Sequence, residues 1–135
     1  MKIYISHSSD YDYTNLIYNP IKSSGLMLHH DIFLPHDQDT IINSKEIIKQ
    51  QDILIAEVSL PSTGQGIEIG WANSASVPIY SIHKNNAHVS SSLVFVSNKI
   101  FTYDNEAEML AVISSILKDY SSVKAKTGLS QEIKR

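Results

Sequence analysis

The run Ser59-Leu60-Pro61-Ser62-Thr63-Gly64-Gln65-Gly66-Ile67-Glu68 concentrates residues that could do chemistry. A helix starting inside it would expose unpaired backbone N–H groups and a partial positive charge, a seat for a phosphate. Gly64 and Gly66 would let a ligand approach the backbone closely, and Ser62 and Thr63 would add hydroxyl donors. Glu68, close to that helix start, is expected to stay ionised because the helix end favours negative charge. A carboxylate so placed can act as a nucleophile or steady a sugar cation. The same residues also fit plain helix capping, with Ser62 as the cap and Gln65 reaching back to it. Spacing alone is compatible with both.

Such a loop needs a strand before it and a helix after it. Ile53-Leu54-Ile55-Ala56-Glu57-Val58 is the clearest buried strand in the chain. A helix is expected over 64–76, closed by Pro78. Further strands are predicted over 3–6, 26–34, 78–83 and 100–103, and helices over 11–24 and 40–51, the former broken or delayed by Pro20. Asp104 reads as the N-cap of a long last helix with Met109, Leu110, Val112, Ile113, Ile116 and Leu117 on one face. Alternating strands and helices predict an α/β fold: a three-layer αβα arrangement around a mainly parallel, five-stranded, Rossmann/flavodoxin-like sheet. Open sheets of this kind bind ligands at the carboxyl ends of their strands. That edge would carry segments 6–10, 35–39, 57–66 and 83–92.

At 135 residues the chain has the length of one domain, expected over 1–120 with a polar tail over 121–135 that ends in clustered lysines and Arg135. A net charge of -3 argues against a nucleic-acid binder, and the absence of cysteine excludes disulfides, thiol nucleophiles and thiolate metal sites. No apolar run approaches a membrane span, and Met1 leads straight into a strand, so no membrane partner and a cytoplasmic location are expected. His29 and His30 are neighbours on an expected strand and point to opposite faces, so a shared metal ion, and hence a metal site, is not expected. His7 and His36 lie at the strand-end edge as substrate-binding candidates. His36 could also be a general acid or base, or a loop histidine bonded to backbone. Trp71 reads as core or dimer packing.

Residues 52 to 72, Asp-Ile-Leu-Ile-Ala-Glu-Val-Ser-Leu-Pro-Ser-Thr-Gly-Gln-Gly-Ile-Glu-Ile-Gly-Trp-Ala, resemble the signature of the nucleoside 2-deoxyribosyltransferase superfamily, in particular its 2'-deoxynucleoside 5'-phosphate N-hydrolase branch. The order Ala-Glu-Val, Pro-Ser, Gly-x-Gly, Glu-x-Gly is shared. The resemblance implies that Glu68 is the glutamate at the anomeric carbon, Tyr4 the tyrosine beside it, and Ser62 a phosphate ligand. It implies a serine donated across a dimer interface from the run 90–92, matched here to Ser91. It implies a homodimer or larger oligomer, a nucleoside or nucleotide substrate, and neither metal nor organic cofactor.

Two departures stand out. The hydrolase branch follows its first strand with a glycine-containing loop and an arginine, whereas this chain has Ser6-His7-Ser8-Ser9-Asp10. A phosphate would lose a bidentate partner there, so a substrate without one is also expected to fit. Where the family has an assisting aspartate, this chain has Ser44, with Glu46 or the pair Asp37 and Asp39 as substitutes. The leading expectation is cleavage or exchange of an N-glycosidic bond in a (deoxy)nucleoside or its 5'-monophosphate. A non-catalytic nucleotide-sensing module is the alternative that the departures favour. The segment Tyr4-Ile5-Ser6-His7-Ser8-Ser9-Asp10 also resembles the opening of Toll/interleukin-1 receptor domains, which would imply cleavage of NAD.

Overall fold

The computed structural model describes residues 1–37 and 40–133. Five strands, β1 (Lys2–His7), β2 (Asp31–Phe33), β3 (Ile53–Glu57), β4 (Ile79–Lys84) and β5 (Lys99–Tyr103), form one parallel sheet in the order β2-β1-β3-β4-β5. Ile3 sits opposite Ile32 on one side and Ile53 on the other, which centres β1 and β3 in the sheet. Every residue of β3 is buried, because helices cover both faces and no polar alternation is needed.

Side-chain alternation divides the core in two. Ile3, Ile5, Ile53, Ile55, Tyr80 and Ile82 pack on one face with Ile17, Ile21, Met109, Ile113 and Ile116. Those partners come from α1 (Asn19–Ser23), the turn before it, and α4 (Glu106–Ile133). Tyr4, Leu54, Ala56 and Ile79 face the other way, onto α2 (Ser44–Lys49) and α3 (Thr63–Ser74) through Ile48, Ile69 and Ala72. Trp71 is half-buried against this second cluster. Among the described residues no helix is long and apolar enough to cross a membrane.

Several elements differ from the expected ones, each for a local reason. The strand expected over 26–34 is only three residues long. Gly25 takes a left-handed φ of 82°, the chain makes a 3-10 turn over Leu26–Leu28, and Leu28 stays 85% exposed. The helix expected from Thr40 begins at Ser44, because Asn43 caps it by accepting from the Glu46 N–H at 3.3 Å. The first helical segment is broken as Pro20 required: a wide π-type turn over Thr14–Tyr18 precedes α1, and Pro20 falls in the first turn of α1, where its missing N–H costs nothing. The cap of α4 is Asn105, which accepts from the Glu108 N–H at 2.9 Å, and not Asp104. Beyond Ser121 the chain continues as α4, and Lys124 lies 3.7 Å from the Asp52 carboxylate. Asp39, Lys134 and Arg135 lie outside the described residues.

Candidate active site

The loop after β1 leads to the α1 face of the sheet, and the loop after β3 leads to the α3 face. The carboxyl ends of these two neighbouring strands are thus the switch point at which open α/β sheets form the crevice that seats a ligand. Tyr4 and Ser6, two residues apart on β1, both point to the α3 side. The Tyr4 hydroxyl donates to Glu68 Oε2, and the Ser6 hydroxyl donates to Glu68 Oε1 at 3.0 Å. Ser44 Oγ, in the first turn of α2, lies 3.3 Å from the Tyr4 hydroxyl. One carboxylate is thus gripped by hydroxyls from β1 with the start of α2 beside it. The side chain of Phe33 stacks on the Tyr4 ring at 5.5 Å and helps fix it.

Burial raises the pKa of Glu68 above the ordinary carboxylate range, while the hydroxyls of Tyr4, Ser6 and Ser44 and the nearby His36 favour its charged form. The expectation that the helix start alone keeps Glu68 charged therefore needs correction. Glu68 is in the second turn of α3, and the influence of a helix end fades within the first. The Tyr4 hydroxyl is held protonated, chiefly by burial and then by the adjacent carboxylate. The group thus offers a carboxylate that accepts and a phenol that keeps its proton to donate.

A histidine and tyrosine cluster lies at the same edge on the α1 side of the sheet, close enough for His36 and Tyr18 to interact electrostatically with Glu68. His7 is 4% exposed, with its Nδ1 2.9 Å from the Ser8 carbonyl and its Nε2 2.7 Å from the Tyr18 hydroxyl. A carbonyl only accepts, so Nδ1 carries the proton and Nε2 accepts from Tyr18. The same Tyr18 hydroxyl accepts from the His36 backbone N–H at 2.9 Å. Burial lowers the pKa of His7 to about 4, in keeping with a neutral ring. Tyr13 stacks on His7 at 4.5 Å and lies 5.1 Å from the exposed ring of His36. His7, a substrate-contact candidate in the sequence, thus has both ring nitrogens engaged within the protein and supports Tyr13 and His36 from behind.

The other candidates lie elsewhere. Ser62 caps α3 by accepting from the Gln65 N–H at 3.5 Å. The reciprocal half of the expected capping box is absent, because the Gln65 side chain donates to the Glu57 carbonyl at 2.8 Å. Ser62 and Gly66 line a hollow of about 350 Å³ with Pro61, Gly70, Ser90 and Ser92. The lining positions 62, 65, 66, 69 and 70 share a flank of α3 that faces away from Glu68. Thr63 and Gly64 are exposed in the first turn of α3, and Ser91 is exposed in the 3-10 turn that begins with it. The structure therefore joins Tyr4, Ser44 and Glu68, sets His36 nearby, and leaves Ser62, Gly66 and the run 90–92 on the other side of α3. Among the described residues no group of three or more His, Asp or Glu side chains is placed to hold a metal ion.

Ser6 escaped the sequence reading, although strand alternation could have found it: if Tyr4 faces Glu68, so must the residue two further on. Glu57 escaped as well. It is 2% exposed and accepts from the Tyr103 hydroxyl, from the Ser59 N–H at 2.6 Å and from the Ser59 hydroxyl at 2.9 Å. Its place inside an apolar run concealed it.

No family model matches the chain. A protein of Syntrophotalea carbinolica, provisionally named 2'-deoxynucleoside 5'-phosphate N-hydrolase 1, is 36% identical over 75 residues, which span 53% of each chain. The CMP N-glycosidase of Clostridium botulinum shares the fold at a TM-score of 0.61 and 22% identity, over 84% of this chain and 99% of that one. A 2-deoxyribosyltransferase of Bacillus psychrosaccharolyticus does so at 0.61 and 17%, over 81% and 90%. A signal receiver domain from Vibrio parahaemolyticus reaches 0.58 at 12% identity, over 92% and 95%, so the fold alone does not select a chemistry. In sequence over half its length, and in fold over most of it, the chain is similar to the nucleoside 2-deoxyribosyltransferase-like superfamily.

Proposed function

We propose that this protein cleaves or exchanges the N-glycosidic bond of a nucleoside, with Glu68 facing the anomeric carbon. The observation that carries the reading is the cluster of Tyr4, Ser6 and Ser44 around Glu68 in the crevice between β1 and β3. As the bond to the base breaks, its electron pair leaves with the base nitrogen and positive charge develops on the sugar carbon. The Glu68 carboxylate meets that charge, either by bonding to the carbon or by stabilising the cation. Tyr4 and Ser6 hold both carboxylate oxygens in place, so little reorganisation accompanies the step. His36, exposed at the mouth, is the group we assign to protonate the departing base. Water, or a second base, then takes the sugar.

The loop after β1 favours a substrate without a 5'-phosphate. Ser8 Oγ accepts from the Asp10 N–H at 3.1 Å, and the Ser8 carbonyl accepts from His7 and Tyr11, so the loop bonds to itself. Asp10 adds negative charge there in place of a guanidinium. The named activities of the similar proteins support the reaction class, and Ser44 keeps a second reading open: a sensor that binds nucleosides without consuming them. A chromatographic screen of nucleosides, their 5'-monophosphates and NAD, with and without a free acceptor base, separates these. Base release or exchange that Glu68→Gln lowers about a thousandfold or more supports the enzyme. Binding without turnover, equal in Glu68→Gln, supports the sensor, and turnover of NAD alone would replace both readings.

A further inference from the structure

Glu57 and Glu68 stand at the same edge of the sheet but on opposite faces. Glu57 continues the alternation of Ile53 and Ile55 toward α1 and α4, whereas Glu68 meets Tyr4 and Ser6 on the α3 side. Glu57 is therefore outside the crevice, yet it accepts three hydrogen bonds deep in the protein. Burial raises its pKa, and the Tyr103 hydroxyl and both Ser59 donors oppose that rise. The nearby His83 also favours the charged form, but among the described residues no salt bridge engages Glu57, and a buried carboxylate so placed is costly to keep, which calls for an account of what it does there.

Its donors come from separate segments of the carboxyl edge. Tyr103, the last residue of β5, has one hydroxyl proton and gives it to Glu57, so the Tyr11 hydroxyl, 3.3 Å away on the loop after β1, donates to Tyr103. Ser59 donates through both its N–H and its hydroxyl, and that hydroxyl accepts from the Lys84 N–H of β4 at 2.9 Å. The Glu57 carbonyl accepts from Gln65, which stands one helical turn before Glu68 on α3 and is 4% exposed. One residue thus links the loop after β1, the ends of β4 and β5, the loop after β3 and the helix bearing Glu68.

We propose that Glu57 is a positioning residue, whose carboxylate through Ser59 and Tyr103 sets the path of the β3–α3 loop and so the place of Glu68 against Tyr4. This rests on the reading of Glu68 given above. Two variants keep the shape of the site: Glu57→Gln removes the charge, and Tyr103→Phe removes one donor and the tie to Tyr11. Both are compared with wild type by steady-state turnover of whichever nucleoside the screen identifies, and by backbone hydrogen exchange. The expected result is a fall in kcat of about tenfold or more with KM little changed, because a misplaced carboxylate weakens the transition state and not ground-state binding. Amide exchange should quicken over 59–66 while Ile53–Ala56 stay protected. Unchanged kcat in both variants would overturn the proposal, as would exchange that quickens equally along all of β3, the mark of a merely structural role. A wild-type protein that turns over no nucleoside would refute the reading of Glu68 before any variant is compared, and the positioning role would fall with it.

Discussion

Stability should fall on acidification through His7, by an amount that its surroundings define. In the folded protein the ring is neutral, with Nδ1 donating to the Ser8 carbonyl and Nε2 accepting from Tyr18, so a second proton would displace the Tyr18 bond. Burial lowers its pKa from 6.5 to about 4. Between those values the unfolded chain binds a proton that the folded one refuses, so the stabilising contribution is complete above the unfolded pKa and is lost as pH falls toward the folded one. Linkage across this shift amounts to about 2 kcal/mol between pH 7 and pH 5, and about 3 kcal/mol once pH lies below both values. The assay is urea unfolding at pH 7 and pH 5 for wild type and His7→Gln, since other titrating groups contribute equally to both proteins. The wild type should lose about 2 kcal/mol more than the variant over this interval. Equal losses would refute the assignment of a neutral, doubly bonded His7. The consequence for function is that this ring backs Tyr13 and His36 beside Glu68.

Other perturbations test other parts of the structure. Glu68 has the opposite sign to His7: its raised pKa means that the folded state keeps a proton the unfolded chain releases, so its contribution is present at low pH and lost as pH rises through the folded pKa. Wild type should therefore lose stability relative to Glu68→Gln as pH rises from 4 to 7, read as the pH dependence of the difference in melting temperature; a difference that does not change with pH would contradict this. Gly66 and Gly70 have open space where a Cβ would stand and need no unusual backbone angle. Gly66→Ala and Gly70→Ala should each stabilise α3 by about 0.5–1 kcal/mol in chemical denaturation, and a loss of stability in either would mean that the flank of α3 is more crowded than the structure shows.

Much of the fold was legible because the strands announce themselves. Ile53-Leu54-Ile55-Ala56 is apolar throughout since helices cover both faces, and such a run has few other homes in a chain of this length. The Leu26–Leu34 stretch misled because apolar content does not report backbone conformation: Gly25 turns left-handed and spends three of those residues in a 3-10 turn. Glu68 was singled out from its place near an expected helix start and again from the resemblance of residues 52 to 72 to a known family, Tyr4 from that resemblance alone, and the structure joins their side chains by a hydrogen bond.

What the sequence determined by itself is the period of its apolar residues, hence which side chains on each strand share a face, and the residue types at each strand end. Those are local properties, set within a few residues. Only the tertiary structure decided which ends meet. Glu68 finds Ser6 across 62 positions and Tyr103 finds Glu57 across 46, because the strand order β2-β1-β3-β4-β5 brings distant segments to one edge. Strand alternation sent Glu57 into the core on the α1 and α4 side, while α3 brought Glu68 to the opposite face, beside Tyr4 and Ser6. A buried carboxylate is tolerated only where donors converge on it, and convergence across the chain is a property of packing that no single stretch of sequence contains.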